Sequence, residues 1–327
     1  MKIPPSYQIT PEILELVAKI DANIILFSSI NIPPKLKEKI QRISLLKSSL
    51  FSARIEGNPL TLENVETSEN KQKKREIFNI LEAIKFLDKE FPFKKEIDKK
   101  LILNLHKITM EGLIPEAGSF RREMGAIFNR SGQAIYVSPP PEKVPGLIDQ
   151  MIDFIKSDKE RFPLITSFIT HLIFEKIHPF IDGNGRVGRL LVFSVLKSKG
   201  YNFDFFIPFE EYLDEHKEDY YYFLDIGLKR PESYLYFMLK AFHAQTEKIK
   251  TSLMNQMMKK ETINLPLRRE EIYNIINDHR IVSFDFIKRR FLRVPERTLR
   301  YDLKKLCEAG LVVKVGETRG CQYKTVN

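Results

Sequence analysis

Apolar residues recur at spacings of three and four along most of the first two-thirds of the chain, the period of an amphipathic helix. Residues 10–50 carry this spacing, broken by a Pro pair in NIPPKLKEK. Residues 61–89 carry it most clearly. Ile77, Ile80, Leu81, Ile84 and Leu87 share one face, and Thr61 with Glu63 supplies a start signal. Further helices are predicted over 95–113, 142–156, 163–177 and 186–199, and another runs to about 260 beyond a Tyr- and Phe-rich stretch at 201–242. The pattern changes once, between 120 and 141. There GAIFNRSGQAIYVSPPP sets two short apolar runs around NRSG and closes on a Pro block, which predicts a β-hairpin. NLPLRRE at 264–270 predicts a domain boundary, with Pro266 close to a new helix start. Past it, REEIYNIINDHR, SFDFIKRRF (Ser283 as N-cap) and PERTLRYDLKKLCEAG (Pro295 to Gly310) read as three helices. LVVKV and CQYKTV around GETRG then read as a two-stranded hairpin.

Composition narrows the class. A length of 327 residues suits two or three domains, and 43% hydrophobic content is enough for a sizeable core. Two cysteines exclude a disulfide framework or zinc cluster and point to the cytosol. Cys307 follows the apolar spacing of Leu303 and Leu306, so a buried thiol is expected. MKIPPSYQIT is not a signal peptide, and no apolar run approaches the roughly 20 residues that span a bilayer, so no membrane partner is expected. The net charge of +10 favours an anionic partner such as nucleic acid or nucleotide. Residues 265–327 hold 14 Lys and Arg against 8 Asp and Glu, so this fifth of the chain carries +6 of that charge.

The chemistry concentrates in IHPFIDGNGRVGRL, residues 177–190, set between two helical segments. His178 can exchange a proton near neutral pH. Asp182 is a hard oxygen donor of the kind Mg²⁺ prefers. Gly183-Asn184-Gly185 forms a turn whose backbone N–H groups can converge on an anion at the positive end of the helix beginning near Gly185. Arg186 and Arg189 lie three apart on its first turn and can fork onto phosphate oxygens. Together these describe a triphosphate site with an activated nucleophile. No Walker A motif or kinase-type glycine loop is present. Taken singly, each part has a bland explanation; it is their order within twelve residues that points to function.

This run resembles the signature of Fic-domain proteins at every specified position. The likeness extends over about 45–240, with GSFRR at 118–122, YVSPP at 136–140 and YYYFL at 220–224 resembling further family segments. It implies a mainly α fold with a β-hairpin flap, and transfer of AMP from ATP to a Ser, Thr or Tyr hydroxyl of a target protein. His178 would be the base and Asp182 the Mg²⁺ ligand. Gly183, Asn184 and Gly185 would cradle the phosphates, Asn184 also through its side chain, with Arg186 and Arg189 on the β- and γ-phosphates. Phe180 would anchor the loop. Tyr220 and Tyr221 would lie near the adenine pocket. The flap residues Ile127, Phe128, Ile135 and Tyr136 would dock the target as an added strand. Gly185 favours AMP transfer over the kinase-like relatives that carry Lys there. Phosphocholine transfer and removal of AMP from a modified target remain open on the same scaffold.

One more stretch gains meaning beside this motif. In FSARIEGN, residues 51–58, Ser52 and Glu56 are four apart on one helix face, and Gly57-Asn58 would end the helix. A carboxylate in a last turn opposes the helix dipole, so a nearby cation is expected. SARIEG resembles the inhibitory helix of Fic proteins, which implies that Glu56 pairs with Arg189 and takes the place of the γ-phosphate. The expected organisation is an N-terminal helical region with that helix over 1–90, a Fic core over 91–245, a linker helix over 246–264 and a final unit over 265–327. The last resembles a winged helix-turn-helix domain. DNA contacts would come from Arg297, Thr298, Arg300 and Tyr301 at the recognition helix and Arg319 at the wing tip. Protein binding or homodimerisation is the alternative for that unit, and a nucleotide-sensing DNA regulator is the alternative for the whole chain.

Overall fold

The computed structural model describes residues 1–128, 134–157, 159–201, 204–261, 265–316 and 321–326. It divides into two compact units, Met1–Ser252 and Leu253–Asn327. The fold is mainly helical, with a hairpin in the first unit and a small sheet in the second.

The first unit begins with α1 (Pro11–Ser29), α2 (Pro34–Ile55), α3 (Lys71–Lys89) and α4 (Lys99–Met110). Pro33 and Pro34 separate α1 from α2, as the Pro pair predicts. α3 starts ten residues later than its apolar pattern suggests. Asn70 caps it by accepting the Lys73 N–H, whereas Thr61 gives its own N–H to the Asn64 side chain and stays in a turn. Asp98 caps α4 in the same way, accepting from Leu101. β1 (Ala126–Phe128) and β2 (Ala134–Val137) pair antiparallel, with Ile127 opposite Tyr136.

A 3₁₀ turn at Pro141–Lys143 leads into α5 (Val144–Lys156), followed by α6 (Pro163–Ile177) and α7 (Asn184–Ser198). α6 is buried from Leu164 to Ile177, as expected of a helix that is apolar all round, and it packs along α7. α2, α3 and α4 each border α7 as well. The aromatic stretch that lacked a clear pattern forms α8 (Glu210–Glu215), α9 (Lys217–Ile226) and the start of α10 (Pro231–Glu261). Its rings fill the core: Phe209 and Phe242 meet each other and Phe193 of α7 with centroids 5.6–6.4 Å apart.

The second unit contains α11 (Leu267–His279), β3 (Ile281–Ser283), α12 (Phe284–Lys288), α13 (Glu296–Glu308), β4 (Val312–Val315) and β5 (Gln322–Thr325). The sheet has three strands in the order β3-β5-β4, one more than the hairpin read from the sequence. β3 is short and runs directly into α12, so no turn signal marks it; Ser283 ends the strand and caps α12 by accepting the Phe286 N–H. Ile272, Ile276, Leu299, Leu303, Leu306 and Tyr323 form its core. Cys307 is only partly buried, while Cys321 is buried. Among the described residues no helix is long and apolar enough to cross a membrane.

Candidate active site

The site forms where α6 stops. His178 adopts a left-handed conformation (φ 50°, ψ 61°), and Pro179 follows, so the helix cannot continue. A helix end leaves carbonyls without partners, and here the carbonyls from Glu175 to Phe180 are all occupied. The Glu175 carbonyl accepts from His178 Nδ1 at 3.3 Å and that of Lys176 from the Tyr136 hydroxyl at 2.9 Å. Arg121 takes the next three: Ile177 through Nη2 at 3.5 Å, His178 through Nε at 2.8 Å, and Pro179 through its backbone N–H at 2.9 Å. Asn184 Nδ2 takes Phe180 at 2.8 Å, and its Oδ1 accepts the Phe180 N–H at 2.9 Å. His106 Nε2 reaches the Asp182 carbonyl at 3.0 Å.

These bonds set protonation states. His178 Nδ1 faces a carbonyl and must carry the proton, which leaves Nε2 with its lone pair. Burial, with the Arg121 charge in support, lowers the His178 pKa and keeps the ring neutral at pH 7. His106 Nδ1 accepts the Gly118 N–H at 2.8 Å, so its proton lies on Nε2, aimed at Asp182. Its ring stacks on Phe180 with centroids 3.7 Å apart, and burial takes its pKa down to about 4. Gly183 (φ 84°) fits because a Cβ there would meet Met110 Sδ at 2.6 Å.

α7 then begins, with its free N–H groups at the loop. Asp182 Oδ1 accepts the Gly183 N–H at 2.6 Å and lies 2.9 Å from Arg186 Nη2; its side chain is otherwise 57% exposed. Arg189 is 1% exposed. Its Nε donates to Ser52 Oγ at 3.0 Å, and its Nη2 to the Ser52 carbonyl at 2.8 Å and Glu56 Oε1 at 2.9 Å. Glu56 sits just beyond the end of α2, where Gly57 (φ 91°) turns the chain away. The carboxylate lies over the start of α7: a Cβ on Gly185 would come within 2.2 Å of Glu56 Oε1. Burial opposes the charge of Arg189, but Glu56 and its other neighbours outweigh that and hold its pKa above the ordinary value.

Two further carboxyls lie within reach of the Arg189 charge, which lowers their pKa values against burial. Burial pushes both Glu175 and Glu210 up to about 8, so each is neutral near pH 7 and Glu56 is left as the close anionic partner. Tyr220 is buried and bonds His171 Nε2 at 3.2 Å, with Tyr234 on the other ring nitrogen at 2.6 Å. Tyr221 is 43% exposed and donates to the Ile55 carbonyl at 3.1 Å, beside Glu56.

The residues singled out from the sequence thus gather at one place, with two changes of role. Asn184 is 2% exposed and both ends of its amide close the loop on Phe180, so its side chain is not presented to an anion. Tyr136 spends its hydroxyl on Lys176 and carries the Lys176 ammonium 4.5 Å from its ring, so it anchors the hairpin. The side chains of Ile127, Phe128 and Ile135 lie outside the described residues, although their strands pair as expected. His106, Arg121 and Glu175 carry much of the geometry without having been singled out for a role. Their partners lie far off in sequence, and only GSFRR gave any signal for Arg121.

In the second unit Arg297 is exposed, Thr298 is half-buried and Tyr301 is 52% exposed. The Arg300 guanidinium lies 3.9 Å from the Phe284 ring centroid and 3.8 Å from Glu296. Buried Asp302 binds Arg268 at 2.6 Å and Arg269 at 2.9 Å. Arg319 lies outside the described residues.

Residues 96–196 match the model of the Fic/DOC family. A probable protein adenylyltransferase of Aquifex aeolicus is 35% identical over 113 residues, 34% of either chain. The protein adenylyltransferase Fic of Drosophila willistoni is 28% identical over 223 residues, covering 64% of this chain and 42% of that one. The chain therefore spans well under half the length of these curated relatives. Among solved structures, a Fic family protein from Desulfovibrio desulfuricans superposes over 98% of both chains with a TM-score of 0.75 at 24% identity. Fic-1 from C. elegans covers 76% of this chain and 73% of its own, with a TM-score of 0.62 at 18% identity. These likenesses establish the fold, mainly helical with a hairpin.

Proposed function

We propose that this chain, which carries a Fic domain, is a protein adenylyltransferase held off by its own α2. The observation that carries the reading is the joint presence of a neutral His178 with a free Nε2 and an Arg189 occupied by Glu56. In the proposed step a target hydroxyl attacks the α-phosphorus of ATP. The new O–P bond forms as the α–β phosphoanhydride bond breaks, pyrophosphate leaves, and the hydroxyl proton passes to His178 Nε2. The N–H groups at the start of α7 and Arg186 would hold the phosphates. Among the described residues no cluster of three or more His, Cys, Asp or Glu could hold a metal unaided. Asp182 alone, half-exposed beside the loop, fits Mg²⁺ of the kind that takes one carboxylate and completes its shell from phosphates and water. That ion would supply charge neutralisation at the phosphates.

Inhibition follows from space and charge. The Glu56 carboxylate stands where a terminal phosphate would meet Arg189, and two anions do not share one guanidinium at that distance. Tyr221, bonded to the end of α2, ties this latch to α9. Removing the carboxylate should therefore release activity. Incubation with labelled ATP and Mg²⁺ should label Glu56→Gly or a lysate protein more strongly than wild type does. Equal or weaker labelling would sink the latch. Wild type that strips AMP from a labelled target, with Glu56→Gly unable to, would favour AMP removal instead.

For residues 265–327 we carry forward the winged-helix reading with DNA as partner. Its support is the exposed basic run Arg289, Arg290, Arg293, Arg297 and Arg300 around the start of α13. Binding of a duplex that weakens steeply with salt and is reduced in Arg297→Ala would support it; a promoter fragment bound tightly by a chain that never labels would favour the regulator alternative.

A further inference from the structure

We propose that Arg121 is a positioning residue that locks the hairpin to the catalytic histidine, so that target docking and the proton acceptor share one rigid mount. This inference rests on the AMP-transfer reading above. Arg121 is 4% exposed, and its guanidinium donates to four backbone carbonyls from three chain segments. Ile177 and His178 are at the end of α6. Glu123 lies just before β1 and Pro139 just after β2, so both edges of the hairpin base are held. The Arg121 backbone N–H adds Pro179. A planar fork with five donors can serve four acceptors in fixed directions; an ammonium cannot.

Three observations make this more than a buried arginine. Among the described residues its close acceptors are all carbonyls, so the charge complements the negative end of α6. His178 is held in the left-handed region, where a non-glycine residue needs outside support, and Arg121 holds the carbonyl on that residue itself. Gly125, paired with Ser138 at the hairpin base, lies directly on the Arg121 side chain: a Cβ would come within 3.3 Å of Nε. Tyr136 bonding the Lys176 carbonyl gives the hairpin a second tie to the same helix end. The charged groups facing His178 are Arg121 from the segment before the hairpin, Glu56 from the end of α2 and Asp182 from the loop, with Glu175 on α6 supplying its carbonyl.

The test uses the full chain in the Glu56→Gly background, with labelled ATP and Mg²⁺, calorimetric ATP binding and thermal unfolding. Arg121→Gln should bind ATP within about twofold of its parent, because Arg121 makes none of the contacts of residues 182–189. Its transfer rate should fall on the order of 100-fold, the cost of a reacting group displaced by about 1 Å. The acid limb of its pH–rate profile should move to higher pH, since the cation that helps keep His178 neutral is gone. Arg121→Lys keeps the charge and should keep the acid limb while recovering part of the rate. The inference is overturned if Arg121→Gln transfers AMP at the parental rate, or if ATP binding falls in step with transfer. It is also overturned if the acid limb stays in place in Arg121→Gln. A Glu56→Gly parent that labels nothing overturns the AMP-transfer reading itself, before any Arg121 variant is compared.

Discussion

Glu56→Gln isolates the charge of the latch while keeping its shape. Arg189 makes three hydrogen bonds in this region, two to Ser52 and one to the carboxylate. The substitution leaves the Ser52 pair intact and removes the ion pair, while the Gln amide oxygen can still accept from the cationic guanidinium. An exposed ion pair contributes up to about 1 kcal/mol, and the burial of its Arg189 half puts this one at or a little above that, so the loss is about 1–1.5 kcal/mol. The larger figures for breaking a fully buried pair do not apply, because the Glu56 side chain is 34% exposed. In a unit of this size each kcal/mol moves the melting point by about 2–4 °C, which gives a drop of about 2–6 °C. ATP should reverse the order. If the latch reading holds, the terminal phosphate competes with Glu56 in wild type, whereas in Glu56→Gln the competitor is neutral. Each tenfold gain in affinity adds about 1.4 kcal/mol at saturating nucleotide. Thermal unfolding of both proteins, with and without Mg·ATP, reads all four values. If Glu56→Gln melts with wild type and gains no more from ATP, Glu56 is surface charge and the latch reasoning fails.

Further outcomes follow from the same geometry. His106→Phe keeps a ring against Phe180 but removes the hydrogen bond to the Asp182 carbonyl and the one accepted from Gly118; Mg·ATP binding by calorimetry in the Glu56→Gly background should weaken about tenfold or more with the fold retained. Glu175 holds its proton to about pH 8 when folded but only to the ordinary carboxyl range when unfolded, so its contribution to stability is full at low pH and declines as pH rises toward 8. Glu175→Gln should remove that decline, and urea midpoints at pH 5.5 and 8 compare the two slopes. Gly185→Ala places a Cβ 2.2 Å from Glu56 Oε1 and should expel the carboxylate from Arg189. Its loss in melting point should not add to that of Glu56→Gln; full additivity in the double variant would show that the two do not share a cause.

Much of this site is legible from local pattern. The 178–189 run places a histidine, a carboxylate, an N-terminal amide cluster and two arginines within one turn-and-helix unit. The i, i+4 spacing of Ser52 and Glu56 needs only one helix to bring both to a face. What escapes is what depends on chain segments meeting. Arg121 reaches His178 across 57 residues and His106 reaches Asp182 across 76, and no periodicity encodes either. Asn184 reads as a polar group free for an anion; only the loop's curvature shows that its amide spans Phe180. Tyr136 has strand alternation that suits a docking face, yet the end of α6 lies close enough to claim its hydroxyl. The late start of α3 has a local cause: an apolar stripe marks which face is buried, while the cap marks where the helix begins, and Asn70 outcompetes Thr61 for that task.

The row of occupied carbonyls from Glu175 to Phe180 and at Asp182 has a practical corollary. The bonds are made by main-chain oxygens, so the path of the loop is dictated from outside and depends little on the side chain at its apex. Ile181 occupies that apex, between the base and the carboxylate, and is 55% exposed. A cysteine placed there and tagged with a small fluorophore would sit within a few residues of His178 on a frame that does not yield. Its emission would then follow whatever approaches from solvent, turning the loop into a docking sensor through which an unidentified target could be tracked during purification.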